Sequence, residues 1–157
     1  MGENKVNIKK ICSLYVSEWH LVTMILPYIV KNKKEKIITI LEEDLTKYMN
    51  TLLDSINIKE EDKKRVRDIR WKKSKLNMEI INENIIVMVN GSAEFIEKTN
   101  AKLEILAKNN KNKTIKVINC FEVPEGKNIQ GILSNYTTVL NTSGERDVNE
   151  VFDVVNN

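Results

Sequence analysis

The stretch Ile11-Cys12-Ser13-Leu14-Tyr15-Val16-Ser17-Glu18-Trp19-His20-Leu21 restricts the fold more than any other part of the chain. Ile11, Leu14 and Val16 make its first half a central strand. Ser17 is placed to cap a following helix, and Glu18 suits that helix's positive end. A strand that passes directly into a helix opens a βα unit. In an open α/β sheet the turn after the first strand is a usual ligand position. A phosphate-binding turn there needs glycines for close backbone approach, and a P-loop adds a lysine and a hydroxyl. Ser17-Glu18-Trp19-His20 has no glycine and no lysine, and it sets a carboxylate where a phosphate would lie. The turn therefore argues against a nucleotide even though the architecture suggests one.

Further units of the same kind follow. Leu21, Met24, Ile25, Tyr28 and Ile29 fall at helical spacing, with Pro27 expected to kink or end the regular part of the helix. Residues 36–42 are a second strand, and Asp44 is placed to cap a helix carrying Leu45, Tyr48, Met49, Leu52 and Leu53. Residues 59–68 form a short charged helix, and Ile69-Arg70-Trp71-Lys72-Lys73 alternates like an edge strand. A strand over 84–91 and a helix over 93–108 come next, the latter with Phe95, Ile96, Leu103, Ile105 and Leu106 as its apolar positions. A strand over 114–123, a turn at Pro124-Glu125-Gly126, a helix over 128–136, a strand over 137–141 and a turn at Ser143-Gly144 follow. The tail 148–155 has helical spacing. Alternating strands and helices predict an α/β fold, a mostly parallel sheet with right-handed crossovers. The expected architecture is a single-domain three-layer sandwich over 1–157, with 1–8 as a flexible start.

At 157 residues, 41% hydrophobic and 30% charged, the chain has the size and composition of one globular domain. A net charge of +3 does not by itself imply a nucleic-acid or membrane partner. The longest apolar run, 21–30, is broken by Thr23 and Pro27 and is far shorter than the roughly 20 residues needed to span a bilayer. The first ten residues are polar and charged, with no apolar signal core, so a cytoplasmic protein is expected. Cys12 and Cys120 both sit in strand-like runs and read as reduced core thiols rather than a disulfide. With one histidine and no Cys-x-x-Cys, a zinc site has almost no ligands.

Several segments resemble one family. Lys10-Ile11-Cys12-Ser13-Leu14-Tyr15, then Leu26-Pro27-Tyr28-Ile29, then Lys36-Ile37-Ile38-Thr39-Ile40 is similar to the start of the MEDS domain, the methanogen/methylotroph, DcmR-type sensory domain. Val89-Asn90-Gly91-Ser92-Ala93-Glu94, Asn119-Cys120-Phe121-Glu122 and the run from Ile129 to Gly144 resemble its later half. The likeness covers nearly the whole chain, in order, as short and unspecific motifs. Glu122 stands where the family usually has aspartate, Phe121 where it has tyrosine, and the middle around 71–84 is shorter. The resemblance implies a RecA-like or KaiC-like core without its P-loop, and a sensory role without catalysis. Family members are often joined to signalling or DNA-binding modules, so output here would pass through a separate signalling or transcription-regulatory protein.

The expected ligand-binding set is Tyr15, Ser17, Glu18, Trp19, His20, Asn90, Ser92 and Glu122. Trp19 and His20 could line a small-molecule pocket, although helix-start packing by Trp19 with a solvated His20 is the plainer reading. Glu42, Glu43, Glu94 and Glu122 follow strand ends that share one edge, where they could hold a divalent cation or run acid/base chemistry as a hydrolase. Capping and solvation explain them more simply. Asn90-Gly91-Ser92 is a good pocket-forming turn, with Ser92 as a helix cap. The basic group Lys63, Lys64, Arg65, Arg67, Arg70, Lys72, Lys73 and Lys75 around Trp71 is the nucleic-acid candidate. Interleaved Glu60, Glu61, Asp62 and Asp68 make it read instead as a solvated face. No cofactor and no membrane partner are expected, nucleic acid is disfavoured, and a homodimer is left open.

Overall fold

The computed structural model describes residues 7–76, 83–109, 113–123 and 129–152. Strand β1 (Ile8–Tyr15) leads into α1 (Glu18–Lys31), and β2 (Lys36–Leu41) into α2 (Thr46–Ser55) and α3 (Glu60–Arg67). Then come β3 (Ile85–Gly91), α4 (Ala93–Asn109) and β4 (Ile115–Glu122). A short α5 (Gln130–Leu133), β5 (Thr138–Asn141), β6 (Gly144–Asp147) and α6 (Val148–Val151) complete the described chain. The six strands form one sheet in the order β2-β3-β4-β1-β5-β6, parallel except for β6. This is a three-layer α/β sandwich, as the alternation of strands and helices required.

The sheet is covered on both faces. On one, Ile11, Tyr15, Met88, Ile118 and Leu140 meet Leu21 and Ile25 of α1, Met49 and Leu53 of α2, and Val66 of α3. On the other, Val87, Val89, Ile115 and Val117 meet Ile96, Leu103 and Leu106 of α4. Cys12, Leu133, Val139 and Val148 form a smaller third cluster beside them. Burial on both faces explains why β3 reads as an unbroken apolar run rather than an alternation.

Cys12 pairs in register with Asn119, and Ser13 with Cys120, so the two cysteines point to opposite faces of the sheet. No bridge can join them, and both are free. Burial pushes the Cys12 thiol up to about 12 and raises that of Cys120 as well, which keeps both protonated.

Some expectations are corrected. Ile69–Lys73 is not a strand. The segment instead runs along the outer edge of β2, held largely by side-chain hydroxyls. Thr39 Oγ1 donates to the Arg70 carbonyl, and Ser74 Oγ donates to the Thr39 carbonyl at 3.0 Å. Ser74 N donates to the Leu41 carbonyl at 2.9 Å, and Leu45 N to that of Trp71 at 2.8 Å. Trp71 packs in the core on the α1 side while Leu76 packs on the α4 side, so the chain turns around this edge. Helix α1 continues past Pro27 to Lys31, with Pro27 on its exposed side. Arg65 closes its far end, donating to the carbonyls of Ile29 at 2.6 Å and Asn32 at 2.7 Å. Ile105 is exposed rather than apolar-facing. Asn7 is tied to the sheet, its carbonyl accepting from Ile115 N at 2.8 Å, and the first six residues of the expected flexible start lie outside the described residues. The expected turn at 124–126 lies outside the described residues, as does the end of the tail. Helix α5 spans only four residues. Strand β6 was not expected, because Glu145-Arg146-Asp147 carries no apolar alternation; Gly144 at φ +102° makes its hairpin turn possible.

Trp71 is 3% exposed, and its Nε1 donates to the Val66 carbonyl at 2.9 Å. Trp71→Ala should therefore lower unfolding stability by about 3–5 kcal/mol, read from urea denaturation. Trp19→Ala, removing a half-exposed ring in one aromatic pair, should cost only about 1 kcal/mol.

Candidate functional site at the carboxyl edge of the sheet

Because β1, β3 and β4 are parallel, Tyr15, Gly91 and Glu122 end on the same edge. From β1 the chain passes into α1 on one face. From β4 it passes to α5 on the other. Neighbouring strands whose connections part in this way leave a crevice between them, the usual ligand position in an open α/β sheet. A cavity of about 470 Å³ lies there, lined by Tyr15, Glu42, Glu43, Gly91, Phe121 and Glu122 among others.

Carboxylates dominate this crevice. Glu18 opens α1, Glu43 follows β2 and Glu122 ends β4; one carboxylate oxygen of each lies within 4.8 Å of the others. Partial burial raises the Glu43 carboxyl above its ordinary range. A hydrogen bond with Glu18 and the charges of Glu18, Glu122 and Glu42 add to the rise. The four acidic residues expected to gather do so only in part. Glu42 turns aside to accept from Ser92 N at 2.7 Å. Glu94 pairs with Lys98 at 2.9 Å, which holds its carboxyl below the usual range. Glu18, from the α1 turn, completes the trio instead.

The residues around the α1 start divide into structural and exposed roles. Ser17 Oγ accepts from His20 N at 3.2 Å, and His20 Nδ1 accepts from Val16 N at 3.0 Å. Both side chains therefore close the helix start, and His20, half-buried, has its Nδ1 engaged by the backbone. Trp19 is 45% exposed and meets Tyr48 edge-on, with centroids 4.8 Å apart. Beside it Val16 is 69% exposed, an apolar residue at the lip of an acidic crevice.

Beneath the crevice lie Tyr15 and Asn90, both buried, with Asn90 Nδ2 donating to Tyr15 Oη. Burial raises the Tyr15 phenol and keeps it protonated. Ser92 Oγ accepts from Phe95 N at 3.1 Å and so caps α4, as expected. Gly91 is required by space: a Cβ there would stand 2.7 Å from Phe95 Cδ2 and 2.9 Å from Glu42 Cβ. All eight residues of the expected ligand-binding set thus share one edge. Tyr15, Ser92 and Glu122 line the crevice itself, joined by Glu18 through the carboxylate trio.

The basic candidate loses its aromatic element. Trp71 is in the core and offers no face for stacking, Arg65 is committed to backbone carbonyls, and Arg67 pairs with Asp54 at 2.7 Å. Arg70, Lys72 and Lys73 are exposed.

No protein-family model, curated protein or solved structure matches this chain. Among the described residues, no helix is long and apolar enough to cross a membrane.

A carboxyl raised on folding destabilises the fold as pH climbs through its titration range, because the unfolded chain releases that proton more easily. Glu43→Gln should therefore raise the melting temperature at pH 7 relative to the parent. The gain should vanish below the ordinary glutamate range, where both proteins are neutral at this position. Thermal melts from pH 3.5 to 7.5 read the difference.

Proposed function

We propose that the chain is a non-catalytic regulatory domain that recognises a positively charged group at its carboxyl edge. In this reading the group is a basic side chain of a signalling or transcription-regulatory partner, or the cationic end of a small ligand. The observation that carries it is the convergence of Glu18, Glu43 and Glu122 where an α/β sheet would otherwise hold a phosphate. An anion would meet three carboxylates there, whereas an ammonium or guanidinium would relieve their mutual repulsion. Exposed Val16 and Trp19 beside the crevice supply the apolar anchor that a protein interface usually centres on. The likeness to the MEDS domain rests on the motif residues alone and agrees with this reading: a nucleotide-type scaffold used for sensing.

The same trio also suits a second reading. Three carboxylate oxygens in such proximity are a hard-cation ligand set, so a divalent ion held there could support metal-assisted hydrolysis.

Calorimetry and affinity capture separate the two. The regulatory reading expects no heat with ATP or GTP. It also expects a partner, identified by mass spectrometry, whose capture is salt-sensitive and lost in a Glu18→Gln, Glu43→Gln, Glu122→Gln triple variant. ATP or GTP turnover that disappears with Glu122→Ala would overturn it. Saturable manganese binding, coupled to hydrolysis and lost in the triple variant, would establish the second reading instead.

A further inference from the structure

A second cavity, of about 490 Å³, lies on the opposite face of the sheet from α1, between α4 and α5. Phe121 and Ile132 form part of its wall and also part of the carboxyl-edge crevice. Beneath it is a polar network in an otherwise apolar layer. Asn119 of β4 is 1% exposed and exchanges two hydrogen bonds of 2.9 Å with Asn100 of α4. Asn100 Nδ2 also donates to the Ile96 carbonyl at 2.8 Å, and Asn119 Nδ2 donates to Tyr136 Oη at 3.0 Å. Both amide nitrogens are thereby fully used. Tyr136 Oη accepts in this network, which leaves its own proton to be given elsewhere, and Tyr136 lines the cavity.

The wall contains a glycine that the fold does not require. Gly131 lies in α5, where glycine costs about 0.5–1 kcal/mol relative to alanine. Its φ is not in the left-handed region, and a Cβ built on it would meet nothing within 4 Å. Neither backbone conformation nor packing calls for glycine at this position. Gly131 is nonetheless part of the cavity's lining, at its exposed side.

Among the described residues, the cavity lining carries one lysine and two glutamates. Lys10 Nζ meets Glu104 Oε1 at 2.5 Å, and Glu97 adds a further carboxylate to the lining. Among the described residues that line it, an anion would therefore find no spare cation. From these observations we infer that the groove between α4 and α5 is a binding site for a small, neutral molecule with an apolar body and a hydrogen-bond acceptor. It packs against Ile96, Phe121 and Ile132 in the space kept open by Gly131, and accepts a hydrogen bond from Tyr136. This site stands independently of the carboxyl-edge reading.

Benzamide is a suitable probe, with benzoate as its anionic counterpart and toluene as a probe without an acceptor. Nuclear magnetic resonance titration of the ¹⁵N-labelled protein should show saturable benzamide shifts confined to α4, α5 and the Asn100 and Asn119 side-chain amides. Benzoate and toluene should bind at least several-fold more weakly. Tyr136→Phe should weaken benzamide about tenfold. Gly131→Leu, whose Cβ meets no protein atom within 4 Å, should abolish binding while leaving the rest of the spectrum in place. Absence of saturable benzamide shifts, unchanged binding in Gly131→Leu, or shifts confined to the carboxyl edge would each overturn the assignment. Equal or tighter binding of benzoate would overturn the neutral-ligand class.

Discussion

The position of β1 between β4 and β5 is the constraint on which the rest of the molecule depends. Eight consecutive residue pairs align β1 with β4, from Ile8 against Ile115 to Tyr15 against Glu122. That register decides which side chains share a face. It sends Cys12 and Cys120 apart, aligns Tyr15 with Glu122 at one edge, and sets Asn119 under the α4 face. It also sets a strand whose helix leaves to one side next to a strand whose chain leaves to the other. The crevice is a result of this topology and would exist whatever residues lined it. What the sequence chooses is the lining, and here it chooses carboxylates.

Magnitudes decide what such a lining can hold. Two unit charges about 5 Å apart repel by about 1 kcal/mol in water and several-fold more near a protein surface. A phosphate would face three such interactions at once. The helix dipole at the start of α1 offers an anion about 0.3–1 kcal/mol at an exposed site and about 2 at best. Repulsion wins, and the turn Ser17-Glu18-Trp19-His20 has no lysine or glycine to reverse the balance. Partial burial and the neighbouring carboxylates raise the Glu43 carboxyl, and a proton taken up there would remove two of the three unfavourable pairs.

Strands β1 to β4 were legible because a strand covered on both faces must be apolar throughout, and Ile85-Ile86-Val87-Met88-Val89 can be little else. Helices α1 and α4 were equally plain, with Ser17 and Ser92 marking their starts. Features held by side-chain bonds to backbone carbonyls were not legible. Trp71 sits among basic residues and looked like a surface aromatic, yet its ring is fixed by the Val66 carbonyl and the core below. Arg65 looked like part of a basic face, although its guanidinium closes α1 from more than thirty residues away in sequence. In the site, the shared edge followed from strand polarity, so Tyr15, Asn90 and Glu122 could be grouped before any coordinates. Which carboxylates converge depended on side-chain competition. Ser92 N takes Glu42 and Lys98 takes Glu94, leaving room for Glu18. The polar pair Asn100 and Asn119 gave no sequence signal, since asparagine in a strand or helix usually marks an exposed or terminal position.

The two outer strands bear on how this molecule meets others. At β2, the segment 70–74 covers the upper part of the edge and occupies the groups an incoming strand would use. At β6 the edge is charged, and the charges have a consequence for self-pairing. Leu140 aligns with Glu145 and Val139 with Arg146, so these two charged side chains stand on opposite faces. A second copy extending the sheet antiparallel through β6 must match residues on the same face. Glu145 would then oppose Glu145 of the second copy, or Arg146 would oppose Arg146 with Glu145 against Asp147. Like charges directly opposite one another are destabilising in either register. Glu145 is besides already engaged by Lys9 at 3.7 Å and Lys116 at 3.5 Å. Sheet extension through β6 is thus opposed by the sequence of that strand itself. Exposed Val16 and Trp19 at the carboxyl edge carry no such opposition, so recognition is better supported at the strand ends than along the strand sides.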